Sequence, residues 1–329
     1  MVSDEYAKLP AQLDRTHHLA ALHNGWATPL AAVEAAAAET AGTRVLDVRR
    51  VVAGEQNEVY DVTLDGAPSV IVRISHRGPA AHEREAWVLQ QCASRGIAAP
   101  RIRLLRAVAI GPESCSMMVM EKLPGERLCD LKLGEADLRR VLEELGTWLS
   151  GLHSIPVTGF GYLDSSGSGY RPTFDTWLTE SVVTSLPVFE QAGRSLGLDV
   201  KTIGRWVDEI VDSFRTDIHR VVLVHNDLLA NHVLVHEGRL SGVVDFGEVA
   251  AEPAAIDFAR WDFNEGERFP VKFIRAGYGE TSPIAGPEDR SYRALWLATG
   301  LWLMQWYHGA GFPPGVEAAR DRLLRGPGD

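Results

Sequence analysis

The stretch 221–247, VVLVHNDLLANHVLVHEGRLSGVVDFG, constrains the fold more tightly than any other part of the chain. Val221–Val224 reads as a buried strand that delivers His225-Asn226-Asp227 into a loop. Two short strands follow at 232–236 and 241–245, with Glu237-Gly238 as their turn, and they deliver Asp245-Phe246-Gly247. Two carboxylates therefore reach neighbouring strand ends, with Asn231-His232 between them in sequence. An acidic rim on a hairpin is the plainer alternative. The Val and Leu runs on either side argue instead for polar residues held at a fixed edge. Phosphoryl transfer asks for such an arrangement: one carboxylate takes a hydroxyl proton, and another joins a neutral ligand in holding Mg2+.

The rest of the chain divides around this segment. Residues 1–43 read as an N-terminal helical extension, Ala-rich over 30–38 and ended by Gly42. From 44 to 121 the texture is strand-like. Gly54 breaks the first strand, and 56–64 places Tyr60, Val62 and Leu64 on one face. Asp65-Gly66 signals a hairpin into 69–74. There Val70, Val72 and Ile74 share a face, with Ile71 and Arg73 on the other. A helix is expected over 80–94 after Pro79, then strands at 101–109 and 115–121. Beyond Pro124-Gly125 the pattern turns helical, with an apolar stripe along 135–153. Further helices are expected at 173–193, 200–218, 254–264, 286–308 and 315–325, and the Gly/Ser-rich run 159–169 reads as a loop. The expected class is α+β and bilobal, a small antiparallel sheet joined to a larger helical lobe. Its divisions are 1–43, a 44–121 lobe, a 122–125 connector and a 126–329 lobe.

Charge and cysteine content narrow the function classes. The 329 residues carry 33 Lys+Arg against 44 Asp+Glu, a net charge of −11. That balance argues against a nucleic-acid partner, whose grip runs on cationic side chains, and favours a cationic ligand. Three cysteines without metal spacing exclude a disulfide scaffold and suit a reducing compartment. A charged N-terminus without an apolar signal core and the lack of a long apolar run lead to the expectation of a cytoplasmic protein with no membrane partner. The helix 294–307 is apolar nearly all round, so it is either buried within the chain or set against a second copy. Monomer and homodimer both stay open.

The H-x-D loop, hairpin and D-F-G of HNDLLANHVLV and LSGVVDFGE resemble the catalytic core of the aminoglycoside phosphotransferases, which have a protein-kinase-like fold. The similarity is greatest to the 2''- and macrolide phosphotransferases, and it includes VVDFGEVAAEPAAIDFARW. It implies Asp227 as catalytic base, Asp245 as principal Mg2+ ligand, and His225 and Asp257 as braces of the loop. The family pattern has Asn five residues after the catalytic Asp, where this chain has His232. Imidazole is not the preferred ligand of Mg2+. His232 is the expected second ligand, with Asn231 as the alternative.

Arg73 in VIVRI stands where the resemblance places the phosphate-binding cation, and Arg can bind phosphate in a bidentate manner. Glu85 shares a helix face with Val88, Leu89 and Cys92. A charge on an apolar stripe needs a partner, and Arg73 is the natural one, with Glu83 as the alternative acid. The backbone near Gln56 and Asn57 falls where a phosphate-covering loop belongs. The resemblance implies a hinge at SMMVMEKLPG, with the Glu121 carbonyl and Leu123 N–H on the purine edge and Met120 behind it. ATP is the expected nucleotide, with GTP open.

For the acceptor, Trp261, Asp262 and Glu265 after the D-F-A segment, and Trp306 on a late helix, are candidate wall residues. Residues 154–178 resemble the GFG-containing loop of hygromycin-type kinases. The implied activity is transfer of a γ-phosphoryl group to a hydroxyl of an antibiotic, most naturally an aminoglycoside-like one. A metabolic kinase of an aminosugar, choline-like or nucleoside compound and a non-catalytic nucleotide-binding module are the alternatives.

Overall fold

The computed structural model describes residues 16–26, 28–52, 56–214, 221–279 and 289–327. Gly54, the first 15 residues of the expected extension, and the expected helix ends at 215–218 and 286–288 lie outside the described residues. The chain opens with α1 (Thr16–His23) and α2 (Leu30–Ala41). Gly42 closes α2 in the left-handed region, φ 64°, its N–H donating to the Ala38 carbonyl at 2.8 Å.

Five antiparallel strands follow: β1 (Val45–Val51), β2 (Glu58–Leu64), β3 (Val70–Ser75), β4 (Ile102–Ile110) and β5 (Glu113–Glu121), in the order β1-β2-β3-β5-β4. Helix α3 (Glu83–Arg95) connects β3 to β4. It starts three residues later than the sequence suggests, because 79–82 form a turn before it. The alternation read from the sequence sets the two faces of this sheet. Tyr60, Val62, Leu64, Val70, Val72, Ile74, Met117 and Val119 pack with Val33, Ala36 and Ala37 of α2. Met118 and Met120 point the other way, into the core shared with α3 and the second lobe. Arg73 lies on that second face, turned to the interlobe cleft.

The second lobe is built on α4 (Glu135–His153), whose stripe Val141, Leu142, Leu145, Leu149 and Leu152 is fully buried. Two small sheets sit on it. In one, a two-residue strand β6 (Glu126–Arg127) joins the edge of the hairpin β10 (Val233–His236) and β11 (Arg239–Val243). In the other, β7 (Phe160–Leu163), β8 (Gly169–Arg171), β9 (Val221–Val224) and β12 (Ala250–Pro253) lie in the order β8-β7-β12-β9. The run expected as a loop at 159–169 is thus largely a hairpin. Its turn includes Gly167 at φ 85°, a conformation that glycine adopts without strain.

Helices complete the lobe: α5 (Phe174–Leu178), α6 (Leu186–Arg194), α7 (Val200–Phe214), α8 (Ala255–Glu265), α9 (Val271–Tyr278), α10 (Arg290–Gly309) and α11 (Pro313–Arg325). The single helix expected over 173–193 is broken by a π turn at 179–183 and restarts at Leu186. Helix α9 was not legible in the sequence. The apolar α10 is enclosed within the chain by α6, α7, α8 and α11, and Trp296, Leu297 and Leu301 are fully buried. Among the described residues, no helix is long and apolar enough to cross a membrane.

Candidate active site

Strand β9 pairs with β12 (Val224 opposite Ala250) and ends just before His225. The chain then turns sharply through Asn226, at φ 65°, and this turn leaves two successive N–H groups without strand partners. Asp257, the third residue of α8 and fully buried, accepts both: His225 N–H to Oδ2 at 2.9 Å and Asn226 N–H to Oδ1 at 2.8 Å. His153 Nε2 lies 3.1 Å from the same carboxylate. Against the cost of burial, His153 and then His225 hold the Asp257 carboxyl below the usual range. The His225 ring donates its Nε2–H to the Val244 carbonyl at 3.1 Å and so ties this loop to the end of the neighbouring hairpin. Burial pushes the imidazole down to about 4, so it stays neutral.

Asp227 and Asp245 face each other across this junction, their side chains 38% and 40% exposed, and His232 reaches between them. Its Nδ1 lies 2.8 Å from the Asp227 backbone carbonyl. A carbonyl can only accept, so Nδ1 carries a proton, and Nε2 faces Asp245 Oδ2, 3.6 Å away. Asp227, His232 and Asp245 each offer a ligand atom within 4.8 Å of the others. Asn231, the alternative ligand, is exposed. Two carboxylates and an imidazole converging in this way fit a divalent cation, the carboxylates supplying the oxygen donors that Mg2+ prefers. Desolvation pushes the Asp227 carboxyl up to about 6, opposed by His232 and helped by Asp245. Asp245 goes the other way. Desolvation would raise it, but Arg73 and then His232 hold it below the ordinary carboxylate range. One site thus holds an acid that ionises near neutrality and another that stays charged.

Arg73 reaches this site from β3. Its guanidinium pairs with Glu85 of α3 on one side and with Asp245 Oδ1, at 3.0 Å, on the other. Its side chain is 9% exposed. Burial works against its charge, but Glu85 and then Asp245 outweigh it and hold the pKa above its ordinary value. Glu85 also accepts the Phe246 backbone N–H, and Arg84 donates to the Gly247 carbonyl. Helix α3 is thereby fastened to Phe246 and Gly247 directly and to Asp245 through Arg73. Glu83 is exposed. Asn57, with its amide turned to suit its neighbours, accepts from Arg73 Nη2 at 2.8 Å and donates to His82 Nε2 at 3.3 Å. Gln56 spans the cleft, Nε2 donating to Glu248 Oε1 at 2.9 Å. Both residues thus use side chains here, where the sequence suggested backbone. Met120 is buried at the end of β5 and Glu121 ends the strand, its N–H bonded to the Arg101 carbonyl at 2.9 Å. Leu123 is half-buried beyond it. Lys122 anchors the connector to β2 through Asp61 at 2.8 Å.

The acceptor wall requires correction. Trp261 is fully buried and donates its Nε1–H to the Phe269 carbonyl at 2.8 Å, so it is core. Asp262 is 4% exposed and set against Arg322 and Tyr292. Glu265 is 3% exposed, and its Oε1 accepts the Ala230 N–H at 3.0 Å, bracing the loop between Asp227 and His232. All three lie on α8, whose inward face the sequence left ambiguous because α8 is buried on nearly every side. Trp306 stays exposed on the last turn of α10, edge-on to Tyr307 at 4.8 Å. Sequence reasoning missed Glu248, Tyr162 and Arg260. Glu248 takes hydrogen bonds from Gln56 and Tyr162. Arg260 lies close enough to act on the charges of Asp227 and Glu252 and stacks over Trp302 at 5.3 Å. Glu248 had a signal, standing directly after D-F-G, but Tyr162 and Arg260 reach the cleft only through β7 and α8.

Comparison with known proteins places this geometry. The model of the phosphotransferase enzyme family (APH) matches residues 47–294. No curated protein matches the chain by sequence. Among solved structures, a ternary complex of a thermostable mutant of aminoglycoside phosphotransferase APH(4)-Ia with ADP and hygromycin B is similar at 19% identity and a TM-score of 0.70, covering 89% of this chain and 97% of that one. The gentamicin complex of APH(2'')-IIa is similar at 18% identity and 0.62, covering 91% and 97%. Macrolide 2'-phosphotransferase type I is similar at 18% and 0.60, covering 91% and 99%. At these identities the likeness is one of fold.

Proposed function

The chain belongs to the phosphotransferase enzyme family, and from that premise we propose that it transfers the γ-phosphoryl group of ATP, or of GTP, to a hydroxyl of an aminoglycoside-like antibiotic. The observation that carries the reading is the convergence of Asp227, His232 and Asp245, with Arg73 bridging Glu85 to Asp245. Asp245 and His232 would hold Mg2+, which when bound neutralises charge on the triphosphate. Arg73, oriented by Glu85 and Asn57, offers its guanidinium to phosphate oxygens. The purine edge would lie along Glu121 and Leu123, with Met120 behind it.

Asp227 orients the acceptor hydroxyl and takes its proton as the oxygen–phosphorus bond forms and the β,γ-bridging bond breaks, releasing the nucleoside diphosphate. A carboxyl that ionises near 6 is unprotonated at neutral pH yet basic enough to accept that proton. Most of the rate comes from alignment and from fixed charges that need not reorganise. The net charge of −11 and the acid Glu248 beside the cleft support a cationic acceptor.

The test is mass spectrometry of a panel of aminoglycosides, macrolides, peptide and nucleoside antibiotics, each incubated with enzyme, Mg2+ and ATP or GTP. The expected result is one added phosphate on an aminoglycoside, with kcat reduced 10²- to 10⁴-fold in Asp227→Ala while nucleotide affinity changes by less than about threefold. Phosphate on an uncharged acceptor alone would overturn the aminoglycoside assignment and leave the transfer reaction standing. Nucleotide binding without transfer to any hydroxyl compound, aminosugars and choline-like metabolites included, would overturn both.

A further inference from the structure

A second convergence of ligand-type side chains lies on the first lobe, away from the cleft. Strand β5 begins Glu113-Ser114-Cys115, so Glu113 and Cys115 stand two residues apart on one face. Ser75 of β3 pairs with Ser116, which brings His76, one residue past the end of β3, beside Cys115. His76 Nδ1 lies 2.8 Å from Glu113 Oε2 and 3.5 Å from Cys115 Sγ. The three groups offer ligand atoms within 4.8 Å of one another.

The other ring nitrogen is already committed. His76 Nε2 lies 2.7 Å from Glu58 Oε1, a fully buried carboxylate that Thr28 also reaches at 2.7 Å. A carboxylate behind Nε2 fixes that nitrogen as the donor and turns Nδ1 toward Glu113 and Cys115. This is the outer-shell arrangement that orients metal-bound histidines. Trp26 lies parallel to the imidazole, centroids 5.8 Å apart and planes at 6°, and further fixes the ring.

We propose that His76 Nδ1, Cys115 Sγ and Glu113 hold a Zn2+ ion, with solvent at the fourth position. Thiolate, imidazole and carboxylate together form a zinc donor set. In a tetrahedral site with Zn–N near 2.05 Å and Zn–S near 2.3 Å, the N···S edge is about 3.6 Å. The 3.5 Å between Nδ1 and Sγ already matches it. The Nδ1–carboxylate distance must open by about half an ångström, and Glu113, 56% exposed, is free to swing outward. Without metal both ring nitrogens face carboxylates, so the ring carries two protons. Zinc binding therefore releases the Nδ1 proton and the Cys115 thiol proton to solvent, and its affinity rises with pH. Because Trp26 and Thr28 precede α2, the ion would pin the N-terminal segment to the sheet.

Cobalt(II) titration of the full, chelator-stripped chain tests this, in an Asp245→Ala background so that the cleft does not compete. The expected result is a near-ultraviolet thiolate-to-cobalt band saturating at one equivalent. It should be abolished by Cys115→Ser, retained in Cys92→Ser and Cys129→Ser, and displaced by zinc. Glu113→Gln, on an exposed side chain, should weaken zinc binding at least tenfold while leaving phosphoryl transfer in the otherwise native chain unchanged. It decides the matter should Cys115→Ser not fold. A folded chain that shows no thiolate band, a band that survives Cys115→Ser, or zinc affinity unmoved by Glu113→Gln would overturn the proposal.

Discussion

Glu252 carries a carboxyl into β12 at 6% exposure, with Trp177 Nε1 donating to one oxygen at 3.1 Å and no hydrogen-bond partner for the other among the described residues. Burial pushes it up to about 7, with Arg260 only partly opposing. Below its ordinary value of 4.5 the folded and unfolded chains are both protonated there, and nothing is lost. Between 4.5 and about 7 the folded chain keeps a proton that the unfolded chain has released, so stability falls as pH rises, and above 7 the loss is complete. Glu252→Gln keeps an acceptor for Trp177 and removes the penalty. The variant should match the parent at pH 4.5 and exceed it at pH 8 by up to about 3 kcal/mol, read from urea unfolding at the two pH values. At this scale the sequence was legible where buried strands end in polar residues, as at Asp227 and Asp245. It was not legible where a side chain owes its position to a distant element. Trp261, Asp262 and Glu265 read as a polar wall because they follow D-F-A, yet the packing of α8 turns all three inward.

Helix α3 is held to the second lobe by a charged strap from Glu85 to Arg73 to Asp245. Removing Arg73 alone strands a carboxylate that is 3% exposed. Arg73→Ala should therefore cost about 3–5 kcal/mol, whereas replacing both partners, Arg73→Met with Glu85→Leu, should recover most of that stability. Recovery of the fold without recovery of turnover would separate the strap's role toward nucleotide from its role in folding. Elements with a hydrophobic period, such as α4 and β2 to β5, could be read from the sequence. Strands β6, β7 and β12 could not, since each exists only because a partner strand flanks it. Ala250–Pro253 has no strand propensity of its own and sits between β7 and β9. Helix α9 depends on a similar accident of contact. It crosses α4 so closely that a Cβ on Gly277 would lie 1.8 Å from the Glu143 carbonyl oxygen, and one on Gly146 would lie 2.0 Å from that of Ile274. Gly277→Ala should lower stability by about 3 kcal/mol, visible as a lower urea midpoint with an unchanged slope.

Across the whole molecule, the two lobes meet at the site through a few polar contacts: Arg73 to Asp245, Arg84 to the Gly247 carbonyl, and Gln56 to Glu248. The bilobal plan was legible because strand and helix textures separate cleanly near residue 122, but the closeness of the lobes was not, since Gln56 and Glu248 are 192 residues apart. A nucleotide bound between them would touch both lobes at once, so binding and global stability are linked. At 100 times its dissociation constant, a nucleotide that binds only the folded chain adds about 2.7 kcal/mol. The melting temperature should rise by several degrees when nucleotide and Mg2+ are present together, and less with either alone. Asp245→Asn should lose the Mg2+-dependent part, because it removes a charged ligand and a partner of Arg73. Asp227→Asn should keep most of it, because the acceptor hydroxyl rather than the triphosphate is that residue's partner. Equal loss in the two variants, measured by differential scanning fluorimetry across a Mg2+ titration, would reassign Asp227 as chiefly a metal ligand and move the proton-accepting role elsewhere in the cleft.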